Sequence, residues 1–196
     1  MKTKNVEQCL KILKNASKIF IDHGYNKNAK VFYSDLDNRG VVTSQNIHII
    51  ALSRLIYGFS YSSKYDNTYL EYAKECVDFL LKNMIISDEN GQYFLPTYDL
   101  EKGPLPAEEL NIWEQSYGFC GLVEYARVTG DITVIEAIRE LMIGYINRFK
   151  DPEKKGFCFN YSFKNGSDYE SKAFQTVIYP SVSYTHLAGD SQMTLP

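Results

Sequence analysis

An internal repeat constrains the fold of this chain more than any other feature of its sequence. The segment Tyr57-Gly58-Phe59-Ser60 recurs as Tyr117-Gly118-Phe119-Cys120, a shift of 60 positions (117 − 57). Each copy leads through a polar turn into a second amphipathic stretch, and then into a segment of glycine and aromatic residues. Because a single helical hairpin cannot bury its apolar face without neighbours, the repeat predicts stacked hairpins that share one core.

Five amphipathic helices are predicted from apolar residues that return at steps of three and four. Their apolar stripes begin at Val6, Ile49, Leu70, Ile112 and Ile135. Between the last two stripes, Gly130 can close one helix and Asp131 can cap the next. Thr68 and Glu71 have the spacing of a capping box at the start of the third helix.

Three segments, residues 30–40, 88–98 and 151–163, interrupt the helices with turn residues and aromatics. Within them, residues 91–95 and 156–161 place aromatics beside glycine in a pattern that fits short strands or hairpins better than helices. The predicted fold is therefore all-α, built from helical hairpins with short β-hairpin loops.

Composition and charge exclude several classes of partner. The chain has 196 residues, 44% of them hydrophobic, which is enough to bury a core. A formal net charge of −3, with no Lys or Arg run longer than Lys154-Lys155, gives nucleic acid no attractive surface. The 16 Tyr and 11 Phe need a packed core or a surface on which a ligand such as a sugar can stack.

Membrane and metal binding are not expected. No stretch approaches the roughly 18 apolar residues of a membrane span, and the N-terminal residues enter an amphipathic pattern directly, which predicts a cytoplasmic protein. His23, His48 and His186 are scattered, and the four cysteines form no C-x-x-C pair, so we expect buried thiols, no metal and no cofactor.

Several segments resemble the N-acylglucosamine 2-epimerase family, which includes cellobiose 2-epimerases and aldose-ketose isomerases. Residues 53–60, Ser-Arg-Leu-Ile-Tyr-Gly-Phe-Ser, resemble its Ser-Arg helix. Residues 113–117, Trp-Glu-Gln-Ser-Tyr, resemble its aromatic-x-Gln-Ala-Phe helix, and residues 122–131 its Leu-x-Glu-Tyr helix with a Thr-Gly-Asp turn. Residues 91–94 and 156–157 resemble its Gly-Gly-aromatic hairpins. The resemblance covers roughly residues 35–161.

The resemblance implies a partial (α/α)6 toroid, in which inner helices line a sugar pocket. Residues 1–180 are then expected to be the N-terminal half of the toroid, and residues 181–196, which lack helical periodicity, a non-native or disordered tail. The acid–base histidines of the family lie mainly in the second half, so the chain is expected to be a fragment without them. Two uncovered apolar helix faces would favour homo-oligomers.

The sequence also departs from the family. Family members often carry a lysine before the Ser-Arg helix and another before the aromatic-Gln helix. This chain has Gln-Asn-Ile-His at residues 45–48 and Glu-Leu-Asn-Ile at residues 109–112. The resemblance therefore does not specify the exact activity.

Arg54 is the candidate catalytic residue. It lies in an apolar stretch, so its guanidinium must reach water, pair with a carboxylate, or point into a polar cavity. The resemblance implies the cavity, where its forked donors would hold sugar hydroxyls and stabilise an enediolate oxygen. His48 is expected to be structural, because on a helix it would lie about 120° from Arg54.

Trp113, Gln115 and Tyr117 are the candidate substrate-binding residues. The indole of Trp113 can stack on the apolar face of a pyranose, or it can pack in the core. Gln115 can contact the substrate, or it can hydrogen-bond a neighbouring helix.

These features predict a sugar epimerase or isomerase that removes a proton at C1–C2 of an aldose and returns it, with acid–base groups and without metal or nucleotide. Two alternatives stay open. One is a glycoside hydrolase or polysaccharide lyase on an (α/α) toroid, which needs two carboxylates across a sugar bond, with Asp99, Glu108 and Glu109 as candidates. The other is a non-catalytic toroid that binds a partner.

Overall fold

The computed structural model describes residues 2–153 and 156–169, and helices dominate that part of the chain. The α-helices of the described residues are α1 (Lys2–Ile19), α2 (Ile49–Ser62), α3 (Thr68–Asn83), α4 (Ile112–Thr129) and α5 (Ile132–Phe149). A short π-helix over Phe20–Gly24 continues α1. Each predicted apolar stripe begins within or at the start of one of these helices, which confirms the predicted all-α class.

Short strands connect the helices in the described residues. They are β1 (Tyr25–Asn26), β2 (Val31–Phe32), β3 (Asn46–His48), β4 (Ile85–Asp88), β5 (Gly91–Phe94), β6 (Thr97–Asp99), β7 (Gly103–Pro104), β8 (Glu109–Asn111), β9 (Asn160–Ser162) and β10 (Gly166–Ser167). They pair antiparallel into the sheets β1-β2, β3-β6-β7, β4-β5 and β10-β9-β8. The strand predicted at residues 91–95 is β5, whereas the one predicted at 156–161 overlaps only the start of β9.

The predicted turn between the fourth and fifth helices is confirmed. Gly130 ends α4 with a left-handed φ of 69°, a conformation that costs glycine little because it has no Cβ. Asp131 then caps α5 by accepting hydrogen bonds from the backbone amides of Thr133 and Val134.

The capping box predicted at Thr68 and Glu71 is wrong. The carboxylate of Asp66 supplies the local hydrogen bonds instead, accepting from the Thr68 amide at 3.1 Å and from the Thr68 hydroxyl at 2.7 Å. An aspartate two residues earlier competes successfully for the donors that the box would use.

The repeat of elements is confirmed, but its register differs from the one that the Tyr-Gly-Phe motif indicates. Strands β3 and β8 directly precede α2 and α4, and both the strands and the helices begin 63 positions apart (109 − 46 and 112 − 49). The motif has a shift of 60, so its two copies do not occupy equivalent positions. At the structural shift, Gly58 corresponds to Gly121 (121 − 58 = 63).

Helices α2 and α4 approach each other closely. A Cβ on Gly121 would lie 2.6 Å from the Ser53 carbonyl oxygen, so only glycine fits there. The buried Ser53 hydroxyl donates to the Tyr117 carbonyl oxygen at 2.5 Å and accepts from the Gly121 amide at 2.8 Å. Helix α3 packs on α2, and α5 packs on α4 and β5, so among the described residues one side of the α2–α4 pair has no helix packed on it.

Arg148 ties the β4-β5 hairpin to α5. Its side chain is fully buried and forms an ion pair with Asp88. It also donates to the carbonyl oxygens of Gly91 at 3.1 Å and Gly144 at 3.0 Å. The buried, carboxylate-paired arginine that the sequence left open for Arg54 is therefore found at Arg148.

Two further expectations concern the chain as a whole. Across the described residues, we find no helix whose length and hydropathy would suit a membrane span. Cys76 and Cys158 are buried as expected, but Cys9 is exposed. The predicted tail, residues 181–196, lies outside the described residues, as does the end of the predicted half-toroid beyond residue 169.

Candidate functional site

The uncovered sides of α2 and α4 form one surface, which we call the open face; it consists of Arg54, Tyr57, Tyr61, Trp113 and Tyr117. Arg54 is exposed, and its guanidinium carbon lies 4.7 Å from the centroid of the Tyr117 ring. Trp113 is 45% exposed, and the centroid of its ring lies 5.6 Å from that of the Tyr117 ring. Three of the four predicted site residues therefore lie together.

Two further rings extend this surface along α2. Tyr57 and Tyr61 lie one helical turn apart, with ring planes 5° from parallel and centroids 6.4 Å apart. Both are exposed, at 45% and 46%. The Lys64 ammonium lies 3.4 Å from the centroid of the Tyr61 ring. The open face thus combines four aromatic rings with the guanidinium of Arg54, a composition that suits a ligand with apolar ring faces and many oxygen atoms.

Gln115 lies away from the open face. Its side chain is 2% exposed, its carbonyl oxygen accepts from the Phe94 amide at 2.9 Å, and its amide nitrogen donates to the Phe94 carbonyl oxygen at 2.7 Å. Because both ends of the side-chain amide are used, Gln115 joins α4 to the end of β5. We therefore leave it out of the candidate site.

His48 lies beside the N-terminal end of α2. The helical angle assumed from the sequence does not apply, because its backbone is extended (φ −91°, ψ 133°) and it precedes the helix. Its Nε2 lies 3.4 Å from Oδ2 of Asp35, and its Nδ1 lies 3.0 Å from Oγ1 of Thr97. The imidazole is thus held at both nitrogens, yet its side chain remains 42% exposed.

Glu114 faces His48 from the first turn of α4. Burial raises the pKa of this half-buried carboxyl, and the charge of His48 lowers it by a smaller amount. Glu114 is not among the site residues predicted from the sequence, because the family resemblance rests on its neighbours. Its spacing of three from Tyr117, which places both on one side of a helix, was the available signal.

A cleft adjoins the open face and shares Arg54 with it. It has a volume of about 570 Å³, lies between α1 and α2, and is lined in part by Arg54, Ser17 and Ser34. Most of its lining is apolar and includes Leu13, Phe20, Leu36, Leu55 and Phe59. Because the rings of Trp113 and Tyr117, on which a sugar can stack, are not part of the lining of this cleft, we place the candidate site on the open face, with Arg54 shared by the two.

The carboxylates considered for hydrolysis are not arranged as a pair on this surface. Asp99 is 7% exposed and accepts hydrogen bonds from the amides of Glu101 and Lys102, each at 2.9 Å, so it stabilises a turn. Glu108 and Glu109 are exposed. Among the described residues, no group of three or more His, Cys, Asp or Glu side chains is placed to hold a metal ion.

Comparison with known proteins identifies the fold. No protein-family model and no curated protein sequence matches the chain. A cellobiose 2-epimerase from Spirochaeta thermophila matches over 95% of this chain and 51% of the enzyme, with a TM-score of 0.72 and 16% identity. A D-mannose isomerase matches over 92% of this chain and 46% of the enzyme, with a TM-score of 0.72 and 13% identity. The chain shares the fold of half of such an enzyme.

The same fold also serves hydrolysis. A GH76 α-mannanase from Bacteroides thetaiotaomicron matches over 95% of this chain and 51% of the enzyme, with a TM-score of 0.68 and 16% identity. The chain thus spans about half the length of the structures that it matches. The resemblance to epimerases and isomerases is confirmed for the fold, whereas closure into a six-hairpin ring stays a prediction.

Proposed function

We propose that this chain forms the sugar-binding half of an epimerase or isomerase that acts at C1–C2 of an aldose. The observation that carries the proposal is the exposed guanidinium of Arg54 resting on Tyr117 beside Trp113. Within the described residues Arg54 has no carboxylate partner, so its N–H groups are available to ligand oxygens. The fold shared with a cellobiose 2-epimerase and a D-mannose isomerase supports this choice.

The backbone adds to the positive character of this surface. His48, just before α2, interacts with Glu114 in the first turn of α4, so both helices begin at the same end of the open face. The N-terminal end of an α-helix carries a partial positive charge. Together with Arg54, these two helix ends would stabilise the negative oxygen that develops when a proton leaves C2.

Sugar binding and catalytic turnover are proposed for two different proteins: this chain and a longer protein. Proton removal and return at C2 requires acid–base groups, and the family resemblance places these histidines in a second half. We therefore propose sugar binding for this chain and catalysis for a longer protein that contains both halves.

Calorimetric titration of the chain with mannose, N-acetylmannosamine and cellobiose tests the binding. We expect one of these sugars to bind, and Arg54→Ala to abolish the heat of binding. Arg139→Ala, which removes an exposed arginine of α5, should leave it unchanged. Equal binding by the Arg54→Ala variant would contradict the proposal.

A hydrolase is the alternative that the mannanase-like fold favours. Incubation of the longer protein in D2O, with the same sugars and with a glycan, separates the two functions. An epimerase or isomerase places deuterium on carbon at C1–C2, whereas a hydrolase releases sugar units from a glycan without such exchange. Loss of glycan cleavage on mutation of the exposed Glu108 or Glu109 would support the hydrolase.

A further inference from the structure

Glu114 carries a carboxyl group beside the open face, on the same side of α4 as Tyr117, that the proposed function has not used. It lies in the first turn of α4, between the exposed Trp113 and the buried Gln115, and is itself half-buried. Among the described residues it has no hydrogen-bond or ion-pair partner. A carboxyl group that is partly withdrawn from water and not bonded to protein remains available for a ligand.

The position of Glu114 places it at the sugar-binding end of the open face. It precedes Tyr117 by three residues, so the two side chains lie on the same side of α4, about one turn apart. The Tyr117 ring in turn carries the guanidinium of Arg54. A sugar stacked near Trp113 would therefore meet a carboxyl group and a guanidinium together.

Among the described residues, the groups around Glu114 affect the energy of its charge but form no hydrogen bond with its carboxyl. His48 reaches it from the end of β3, and the imidazole is itself fixed by Asp35 and Thr97. Because both nitrogens of His48 already have partners, its contribution to Glu114 is electrostatic. His48 and Asp35 are thus positioning residues, and the carboxyl of Glu114 is the group that can reach substrate.

We propose that Glu114 transfers the protons that open the ring of the bound sugar, a step that rests on the proposed function because C1–C2 chemistry needs the open-chain aldehyde. The neutral carboxyl donates its proton to the ring oxygen O5 while its other oxygen accepts the proton of the C1 hydroxyl. The C1–O5 bond breaks and the C1=O bond forms. The carboxyl is regenerated, so the step needs no oxidant, reductant or cofactor.

The environment of Glu114 favours the protonation state that this step requires. Burial raises the pKa of Glu114, which extends the pH range over which the carboxyl is neutral. The charge of His48 opposes this shift, and the other charged groups nearby are Asp35, 3.4 Å from Nε2 of His48, and Arg54 on the open face. The rate of ring opening should therefore fall as pH rises through the pKa of Glu114.

Anomer interconversion of mannose or glucose, followed by polarimetry in the presence of the chain, measures this step directly. We expect acceleration above buffer, and we expect Glu114→Gln to reduce the excess rate by about 100-fold because an amide cannot exchange protons in this way. Glu71→Gln is the matched control, since Glu71 is an exposed carboxylate in the first turn of α3. Equal loss in both variants would overturn the proposal.

His48→Asn separates a positioning role from a structural one. Removing the imidazole removes the charge that lowers the pKa of Glu114, so the fall in rate should move to higher pH. An unchanged pH profile would show that His48 does not act through Glu114.

Calorimetry on the same samples distinguishes this proposal from the proposed function. Sugar binding that depends on Arg54, without any acceleration of anomer interconversion, would overturn the role of Glu114 and leave the proposed function standing. Absence of sugar binding would overturn both.

Discussion

Arg54 and Arg148 place the same chemical group in opposite environments. The guanidinium of Arg148 is fully buried, with Asp88 and three backbone carbonyl oxygens as fixed partners, whereas that of Arg54 is exposed and rests on a single ring. A buried charge requires such partners to offset its desolvation, while an exposed one keeps its donors for a ligand. The Arg148 region should therefore determine stability and the open face should determine binding.

The largest effect is expected from Arg148→Met. This change removes the side-chain donors to the Gly91 and Gly144 carbonyl oxygens, leaves Asp88 without its ion-pair partner, and weakens the contact between the β4-β5 hairpin and α5. We expect a loss of about 3–5 kcal/mol in the free energy of unfolding, measured by urea denaturation. Arg139→Met, at an exposed position of the same helix, should cost less than about 0.5 kcal/mol. Similar losses of stability in both variants would show that the buried contacts of Arg148 do not determine stability.

A pair of glycines tests the same contrast on the helices. Gly58 and Gly121 are equivalent at the structural shift, but Gly121 faces the Ser53 carbonyl oxygen and Gly58 faces open space. Gly121→Ala should destabilise by about 1–3 kcal/mol because α2 and α4 must separate. Gly58→Ala should stabilise by up to about 1 kcal/mol, since alanine is the better helix former. Denaturation curves that shift in the same direction would contradict this assignment of the two faces.

The helices were predictable because their apolar stripes match their burial. Leu52, Ile56 and Phe59 recur at helical spacing in the sequence, and all three are buried in the core. The turn between α4 and α5 at Gly130-Asp131 was equally predictable, since a left-handed glycine and an aspartate cap depend on local chemistry alone.

The register of the repeat and the role of Gln115 were not predictable in this way. The repeat was located from a four-residue match, but the helix starts depend on the strands β3 and β8, which have only three residues each. Gln115 bonds to Phe94, whose approach is set by tertiary packing. The helical positions of Arg54, Trp113 and Tyr117 could therefore be predicted from the sequence. The surroundings of Gln115 and Glu114 depend on tertiary packing and could not.

Arg54→Met tests whether the exposed arginine contributes to stability as the buried one does. Loss of one exposed cation–π contact should lower the free energy of unfolding by less than about 1 kcal/mol. The same variant should lose sugar binding by calorimetry. A loss of stability as large as that of Arg148→Met would show that Arg54 is a structural arginine after all.

The smallest effect is expected from Glu114→Gln, and it depends on pH. Because burial raises the pKa of Glu114, the folded chain holds this proton more tightly than the unfolded chain, so stability falls as pH rises through the pKa. The uncharged amide avoids that penalty, and the variant should be more stable than the parent at pH 7, with the difference vanishing below about pH 4. Glu71→Gln, in the first turn of α3, corrects for lost interaction with the helix dipole. A stability difference that is the same at pH 7 and below about pH 4 would mean that Glu114 acts through packing. The carboxyl group beside the open face would then have no raised pKa to support proton exchange with a sugar.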